Sequence, residues 1–294
     1  MNGIILINKS KGFTSQDVVS KLKKILNIKK VGHIGTLDPM AEGVLPILLG
    51  NYTKLSKYLI EHNKTYIACL KLGKKTDTGD LEGKIIDEKE ITKNIFEKEN
   101  ILKTFEKFKG KIIQTPPMYS AIKVNGKKLY EYARKGEEVE IPKREVEIFD
   151  IKLLESNFEK NEIIFEVSCS KGTYIRSLCE DIALSLGNIG YMSALDRIVV
   201  GDFYLKNSIT LEELEKNKEN NKFIEEKIIK MEKIFNKYSK ITLNSRKKEL
   251  FLNGVMLTYE LFDGIYNIYD NENNYIGLGT VKNNLLKRDV IIVE

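Results

Sequence analysis

One stretch dominates this chain of 294 residues: Gly32-His33-Ile34-Gly35-Thr36-Leu37-Asp38-Pro39. Its proline lacks a backbone N–H and disfavours helical dihedrals at Asp38. Its glycines can adopt a positive φ and allow close approach of another backbone or a ligand. The stretch therefore predicts a shaped loop that holds one carboxylate in a fixed pose. An ordinary turn with a surface aspartate is the common alternative for an Asp-Pro pair.

The segments around this loop predict a strand, a helix and a second strand. Residues 3–8 and 44–50 are apolar runs typical of buried strands. Between them, Thr14 followed by Asp17 indicates an N-cap with a capping-box-like partner for a helix over residues 15–27.

Later segments alternate between predicted strands and helices. The pattern predicts strands at 64–73, 144–154 and 162–169, helices at 94–108, 127–135 and 173–186 (with Gly187 as its C′ residue), and an extended connection at 114–121. The Glu/Lys/Asn-rich residues 211–240 predict a charged helical connector, and residues 241–294 a small β-rich module that packs against the main domain.

Composition excludes several classes of protein. The chain is 42% apolar and 31% charged, and its longest apolar runs fall well short of the roughly 20 residues of a membrane helix. Its first residues do not resemble a secretion signal, which predicts a cytoplasmic protein. The three cysteines (Cys69, Cys169 and Cys179) lack metal-site spacing, and with only two histidines we expect buried thiols and no metal site.

Positive charge is concentrated near the Asp38 loop. The net charge is +6, and residues 1–60 alone carry nine lysines against three acids. Residues 123–144 add seven basic residues against four glutamates. This distribution suits a polyanionic partner, although lysine-rich solvation of an ordinary surface explains it equally well.

Common catalytic and cofactor motifs are missing. The chain contains no P-loop, dinucleotide fingerprint, serine elbow or HExxH sequence. The acid-rich turn Thr76-Asp77-Thr78-Gly79-Asp80 does not follow the calcium-loop pattern. What is left is a candidate catalytic carboxylate without an obvious metal or cofactor.

Arg176 suggests a partner for that carboxylate. It follows Ser170-Lys171-Gly172-Thr173-Tyr174-Ile175 and falls in the first turn of a predicted helix, where the helix dipole favours negative charge. A carboxylate would resolve this conflict, and Asp38 is the natural candidate. An exposed arginine that contacts solvent or phosphate is the alternative.

Two further segments carry weaker signals. Lys9 and Lys11 precede Gly12, Thr14 and Ser15 at a strand-to-helix junction, where they could bind phosphate or simply be solvated. Tyr66 lies on a predicted strand, where core packing is the common fate of an aromatic side chain.

Taken in order, these motifs resemble the bacterial tRNA pseudouridine-55 synthases of the TruB family. The resemblance covers about residues 1–205 and rests on one ordered set of segments: Lys9…Gly12-x-Thr14-Ser15, Gly32-His33-x-Gly35-Thr36-Leu37-Asp38-Pro39, Lys64-x-Tyr66, Thr76-Asp77-Thr78, Pro117-Met118-Tyr119-Ser120-Ala121 and Lys171-Gly172-Thr173-Tyr174-Ile175-Arg176. Residues after about 240 resemble that family's PUA-type RNA-binding module.

The resemblance implies an α+β fold, with a mixed, largely antiparallel sheet flanked by helices over residues 1–210. It also implies an RNA-binding insertion at about 123–144, the connector at 211–240 and a PUA-like module at 241–294. The implied reaction converts a T-loop uridine of tRNA to pseudouridine without a cofactor. The expected partner is the T-arm of tRNA, with no membrane and no obligate protein partner, and the protein is expected to be a monomer.

The resemblance also assigns residue roles. Asp38 is the nucleophile or base, Arg176 keeps it ionised, Tyr66 stacks on the flipped uracil, and Leu195 forms an apolar wall. His33 fills the space vacated in the T-loop, and Lys9 and Lys11 grip phosphates together with residues 123–144.

Two departures from the family pattern are visible. Ser10 follows Lys9 where the family usually has proline, and Asp196 separates Leu195 from Arg197 where the family usually has Leu-Arg-Arg. Three alternatives stay open: an RNA chaperone without turnover, a synthase for other uridines, and a metal-dependent hydrolase that uses Asp38, Asp77 and Asp80.

Overall fold

The computed structural model describes residues 1–59 and 62–292, although not the side chains of residues 231 and 232. Its main sheet has nine strands. Seven of them follow the order β1-β3-β12-β4-β11-β10-β7, while β2 pairs with β3 and β13 with β12. The strands in the first part of the chain are β1 (Gly3–Lys9), β2 (Val31–His33), β3 (Glu42–Leu49), β4 (Lys64–Leu72), β5 (Lys74–Thr76), β6 (Ile85–Glu88), β7 (Gly110–Gln114), β8 (Lys123–Val124), β9 (Lys127–Lys128), β10 (Arg144–Asn157), β11 (Glu162–Cys169), β12 (Gly190–Val200) and β13 (Phe203–Tyr204).

Short helices flank this sheet, and a second sheet follows it. The helices are α1 (Ser15–Ile25), α2 (Ser56–Leu59), α3 (Lys98–Glu106), α4 (Leu129–Lys135), α5 (Ile175–Ser185), α6 (Leu211–Lys216), α7 (Asn221–Lys227), α8 (Met231–Ile234) and α9 (Ser245–Leu252), with 3-10 turns at Gly50–Leu55, Lys93–Phe96 and Leu205–Asn207. The second sheet has the order β14-β16-β17-β18-β15. Its strands are β14 (Lys240–Leu243), β15 (Leu257–Thr258), β16 (Gly264–Asp270), β17 (Tyr275–Lys282) and β18 (Leu285–Ile291).

The predicted fold class is confirmed. Pairing in the main sheet is antiparallel except between β12 and β3, which run parallel. The capping box of α1 is present, since Thr14 and Asp17 exchange hydrogen bonds between side chain and backbone. Gly187 follows α5 with φ of +78°, as a C′ glycine does. The three cysteines are buried free thiols, as expected.

The segment predicted as a charged helical connector, residues 211–240, contains three short helices, α6 to α8. Its sparse apolar side chains, Leu211, Leu214 and Ile224, are buried in the same core as the main sheet. Ile229 also bridges to Ile4 of β1. The segment is therefore tied to the main sheet at several points.

The C-terminal sheet shares an apolar cluster with the main sheet. Leu278 and Val290 belong to the same buried cluster as Leu6 and Leu48. Polar contacts reinforce this packing, because the Asn51 side-chain amide donates to the carbonyl of residue 292 at 3.1 Å. None of the helices described above is long and apolar enough to cross a bilayer.

Candidate active site

The Asp38 loop is fixed from two sides. Ser15, the first residue of α1, donates through Oγ to the Leu37 carbonyl at 3.1 Å and accepts from the Leu37 N–H at 2.9 Å. Gly35 has φ of +76°, a backbone conformation that side chains disfavour. The shaped loop predicted from the sequence is therefore present, and it is anchored to a helix N-terminus.

Arg176 lies against the Asp38 carboxylate, as the sequence predicted. Its Nε is 3.1 Å from Asp38 Oδ2, and its Nη1 is 3.4 Å from Asp80 Oδ2. The guanidinium also donates to the carbonyls of Thr78 at 3.1 Å and Tyr119 at 3.0 Å. Two carboxylates and two carbonyls thus hold one buried cation in a single orientation.

Exposure distinguishes the two carboxylates. The Asp38 side chain is 37% exposed, while those of Arg176 and Asp80 are only 6% and 7% exposed. Asp38 is therefore the carboxylate that faces the cavity, whereas Asp80 neutralises the charge of Arg176 from its buried side. The sequence showed Asp80 as part of an acid-rich turn and of the alternative metal site, so its role as a partner of Arg176 was missed.

The same contacts bear on the metal-site alternative. Asp38 and Asp80 both face a guanidinium, and Asp77 accepts a hydrogen bond from the backbone N–H of Lys84 at 2.8 Å. Their oxygens are therefore directed to protein donors, which disfavours a metal centre built from these three aspartates.

Asp38 opens onto a cavity of about 820 Å³. Tyr66, Met192 and Leu195 form an apolar wall beside it. Its volume falls in the range of small-molecule sites, roughly 300–1,000 Å³. The cavity thus brings together Asp38, Tyr66, Arg176 and Leu195, which the sequence placed in one site. Burial raises the pKa of Tyr66 to about 12, so its hydroxyl is protonated at neutral pH.

Arg197 completes the base of the site, although the sequence singled it out only as part of a departure. It is fully buried, and it donates to the carbonyls of Gly35 at 3.0 Å and Thr36 at 3.3 Å. We call Asp38, Tyr66, Asp80, Arg176 and Arg197 the cavity floor.

The outer part of the cavity is aromatic and basic. Tyr130, Arg144 and Tyr174 line it, and the Arg144 guanidinium lies 5.6 Å from the centre of the Tyr174 ring. Lys128 and Arg134 each lie 5.3 Å from the Tyr130 ring centre. We call Lys128, Tyr130, Arg134, Arg144 and Tyr174 the cavity rim; cation–π contacts organise it.

The expectation that Lys9 grips phosphate is contradicted. The residue is fully buried, and its ammonium donates to the carbonyls of Ser10 at 3.0 Å, Phe13 at 2.7 Å and Pro39 at 3.2 Å. Burial lowers the pKa of Lys9 to about 8. Because these carbonyls occupy all three of its protons, Lys9 braces the Asp38 loop from within.

His33 lies at the end of β2, outside the set of residues that line the cavity. Its side chain is half-buried, and its Nδ1 is buried without a hydrogen-bond partner in the described part of the chain. Burial, and then the charge of Arg197, lower the pKa of His33. The structure therefore places it near the catalytic loop but not against the cavity.

Two family models match this chain. Residues 23–175 match "TruB family pseudouridylate synthase (N terminal domain)", and residues 176–236 match "tRNA pseudouridylate synthase B C-terminal domain".

Curated relatives and a solved structure agree with these matches. A tRNA pseudouridine synthase B of Clostridium tetani is 47% identical over 285 residues, which cover 95% of each chain. One of Staphylococcus epidermidis is 50% identical over 216 residues, 72% of this chain and 71% of that one. A crystal structure of a Cbf5-Nop10-Gar1 complex contains a chain that matches with a TM-score of 0.71 and 25% identity, over 99% of this chain and 85% of that one.

Proposed function

This chain belongs to the TruB family of pseudouridylate synthases, and from that premise we propose that it isomerises uridine 55 in the T-loop of tRNA to pseudouridine. The observation that carries the proposal is the Asp38 carboxylate, which Arg176 holds at 3.1 Å on the floor of a cavity walled by Tyr66 and Leu195. A carboxylate presented in this way suits attack on, or proton removal from, a ribose whose base lies against an apolar wall.

The reaction exchanges one glycosidic bond for another. The N1–C1′ bond of the uridine breaks, the detached uracil turns within the cavity, and C5 bonds to C1′. C5 then loses its proton and N1 gains one, so that the product is an isomer of the substrate. Asp38 acts either as the nucleophile at C1′ or as the base that removes a ribose proton. Both routes require an ionised carboxylate, and the charge-assisted hydrogen bond from Arg176 supports that state.

The walls of the cavity keep the detached uracil in place. We propose that Tyr66 stacks on the uracil and that Leu195 closes the opposite side, since both are buried and line the cavity with Asp38. A uridine within a folded loop must first be flipped out, which costs a few kcal/mol. His33, beside the catalytic loop, is proposed to fill the space that the flipped base leaves in the T-loop.

The rim supplies the contacts to RNA. Lys128, Arg134 and Arg144 place positive charge at the mouth of the cavity, and the buried Arg144 Nε has no hydrogen-bond partner in the described part of the chain. Such cations suit phosphates, and the aromatic rings beside them suit unstacked bases. We propose that this surface binds the T-arm and that the enzyme works as a monomer without an obligate protein partner.

We propose that the two sheets belong to two domains with different roles. Residues 1–210 form the catalytic domain, with the rim segment at about 123–144 as an RNA-binding insertion. Residues 211–240 connect it to a PUA-like RNA-binding module at 241–294. The five-stranded C-terminal sheet and its shared apolar cluster with the main sheet support this division.

The test is pseudouridine formation in an unmodified tRNA transcript with wild type and Asp38→Asn. We expect product at the T-loop uridine from wild type and at least a ~10³-fold lower rate from the variant, because the amide can neither attack nor accept a proton. The affinity for tRNA should change little, since the amide is similar in size. Binding without product by the wild type would sink the proposal and favour a chaperone role, and product at other uridines would favour a broader synthase.

A further inference from the structure

Arg197 is a buried cation with no role in the proposed reaction. It is fully buried in β12, two residues after Leu195. Its Nε donates to the Val44 carbonyl at 3.0 Å, while its two terminal nitrogens donate to Gly35 and Thr36 of the Asp38 loop. One guanidinium therefore joins β12, β3 and the catalytic loop.

The charge of Arg197 is compensated by backbone carbonyl groups and not by a carboxylate. Among residues 1–59 and 62–292, no carboxylate pairs with it, whereas Arg176 has two carboxylate partners. A buried charge is normally paired, because carbonyl dipoles alone compensate poorly for the removal of water. We therefore expect the buried Arg197 side chain to have a role other than packing.

Tyr66 supplies that function. Tyr66 and Arg197 are directly opposed residues of the antiparallel pair β4 and β12, so their side chains project from the same face of the sheet. The Arg197 guanidinium also acts on the Tyr66 hydroxyl, because its charge lowers the pKa of the phenol against the larger effect of burial. An arginine can only donate hydrogen bonds, so in any hydrogen bond between these two side chains the phenol oxygen is the acceptor.

The backbone behind Arg197 is held tightly. Its parallel partner in β3 is Gly43, and a Cβ atom added at Gly43 would lie 2.3 Å from the Arg197 carbonyl oxygen. The two strands are therefore pressed together at this point, which fixes the position from which the arginine side chain extends.

We propose that Arg197 is a positioning residue, which holds the Asp38 loop and the Tyr66 hydroxyl in one frame on either side of the uracil. It would set the distance between the attacking carboxylate and the aromatic wall, and it would turn the phenol proton away from the guanidinium. The inference rests on the proposed function, because it concerns the geometry of the same reaction. It assigns to Arg197 no contact with substrate.

A double-mutant cycle with Tyr66 tests this assignment. Arg197→Gln, Tyr66→Phe and the double variant are compared in single-turnover reactions at saturating enzyme. We expect Arg197→Gln to lower the rate by about 30-fold or more in the wild-type background and by a clearly smaller factor beside Tyr66→Phe, where only its hold on the Asp38 loop is still lost. The affinity for tRNA should stay the same in all variants.

Lys9 provides a matched control, since it is also a buried cation and donates to one carbonyl of the Asp38 loop, that of Pro39 at its other end. It has no interaction with Tyr66 among those that shift the pKa of the phenol. The effect of Lys9→Met should therefore be the same in the presence and absence of the Tyr66 hydroxyl. Equal reductions in rate from Arg197→Gln in both backgrounds would overturn the proposal.

A second readout does not depend on turnover. In protein labelled with 13C at tyrosine Cζ, the Tyr66 signal is assigned by its disappearance in Tyr66→Phe. We expect this signal to shift in Arg197→Gln and Arg197→Lys but not in Lys9→Met. An unchanged Tyr66 signal in the arginine variants would also contradict the proposal.

Arg197→Lys covers the case in which Arg197→Gln does not fold. A lysine keeps the charge but lacks the planar fork, so it cannot bridge the loop carbonyls and the phenol together. We expect a folded protein with a reduced rate and unchanged tRNA affinity, and a wild-type rate would overturn the proposal. A wild type that forms no pseudouridine would instead refute the proposed function itself, so the two failures can be told apart.

Discussion

The two arginines of the cavity floor are buried and held by several partners, whereas Lys128 and Arg134 of the rim are more exposed and lie against an aromatic ring. Arg176 and Arg197 make seven polar contacts of 3.4 Å or less to carboxylates and carbonyls. Arg134 and Lys128 instead lie 5.3 Å from the centre of the Tyr130 ring.

This difference suggests that the floor determines the catalytic rate and the rim determines the affinity for tRNA. Buried groups in a low-dielectric setting are oriented before substrate arrives and are sensitive to small displacements. Exposed cations are screened by salt and can be exchanged for one another with modest effect. Changes to the floor should therefore lower the catalytic rate, and changes to the rim should weaken binding of tRNA.

Among the variants that test this difference between floor and rim, the largest effect is expected from Asp80→Asn. The amide cannot balance the charge of Arg176, which leaves Asp38 as the only carboxylate partner and allows the guanidinium to shift. A displacement of about 1 Å at a catalytic group can lower a rate by ~10²-fold. We expect a reduction of that order in the single-turnover rate with unchanged affinity for tRNA.

Asp77→Asn is the matched control for that variant, because Asp77 belongs to the same turn but is exposed and bonds to the backbone of Lys84. It should retain a near wild-type rate. Similar reductions from Asp77→Asn and Asp80→Asn would indicate that the turn as a whole matters and that the buried ion pair does not.

On the rim, the double variant Lys128→Gln, Arg134→Gln should weaken tRNA binding by about tenfold at moderate salt. For every phosphate that is no longer neutralised, the slope of log affinity against log salt should become shallower by about 0.7–0.9. The rate at saturating enzyme should not change. Fluorescence or filter binding over a salt series measures both the affinity and the slope.

Lys103→Gln, an exposed lysine on α3, controls for the general removal of positive charge. If it weakened tRNA binding as much as the rim variant, the rim would not be a localised RNA surface. If the rim variant instead lowered the rate at saturation, the separation between floor and rim would fail.

The pH dependence of stability tests whether folding lowers the pKa of His33, which lies beside the catalytic loop. Burial and the charge of Arg197 lower the pKa of His33. The unfolded chain therefore takes up a proton near the reference pKa of about 6.5 while the folded chain does not, so the free energy of unfolding falls as the pH drops below that value. His33→Asn should flatten this fall.

Urea unfolding at several pH values between about 5 and 8 measures the effect. At about pH 8 both histidines are neutral in either state, so the slope there serves as an internal reference. His62, whose pKa burial also lowers, accounts for part of the remaining dependence. An unchanged acid slope in His33→Asn would mean that folding does not lower the pKa of this histidine.

The smallest effect is expected at the edge of the floor, from Asp196→Arg. Asp196 lies opposite Glu42 in the parallel pair β12 and β3, and burial and then Glu42 raise the pKa of Asp196. Replacing one of two opposed like charges should stabilise the protein by ~0.5 kcal/mol in urea unfolding. In a Glu42→Gln background the gain should disappear, and a gain that persists there would point to another cause.

Local sequence signals were sufficient for much of this protein. Thr14 and Asp17 predicted the capped start of α1, and the loop around Asp38 was recognised from its glycines and Asp-Pro pair. These features depend on backbone preferences and on hydrogen bonds between near neighbours in the chain, which a sequence states directly. A cation in the first turn of a helix is unfavourable because of the helix dipole, and for Arg176 this predicted the contact with Asp38.

The fate of the basic residues was not predictable in the same way. Lys9 was expected at the surface and is buried, Arg197 was noted only as a departure and lies under the catalytic loop, and Asp80 was missed as the second partner of Arg176. The residue type alone does not show whether a lysine or arginine side chain is solvated or buried among backbone carbonyl groups. Which of these it meets depends on strand order and register across long sequence separations, such as Tyr66 opposite Arg197, and only the folded chain sets that register.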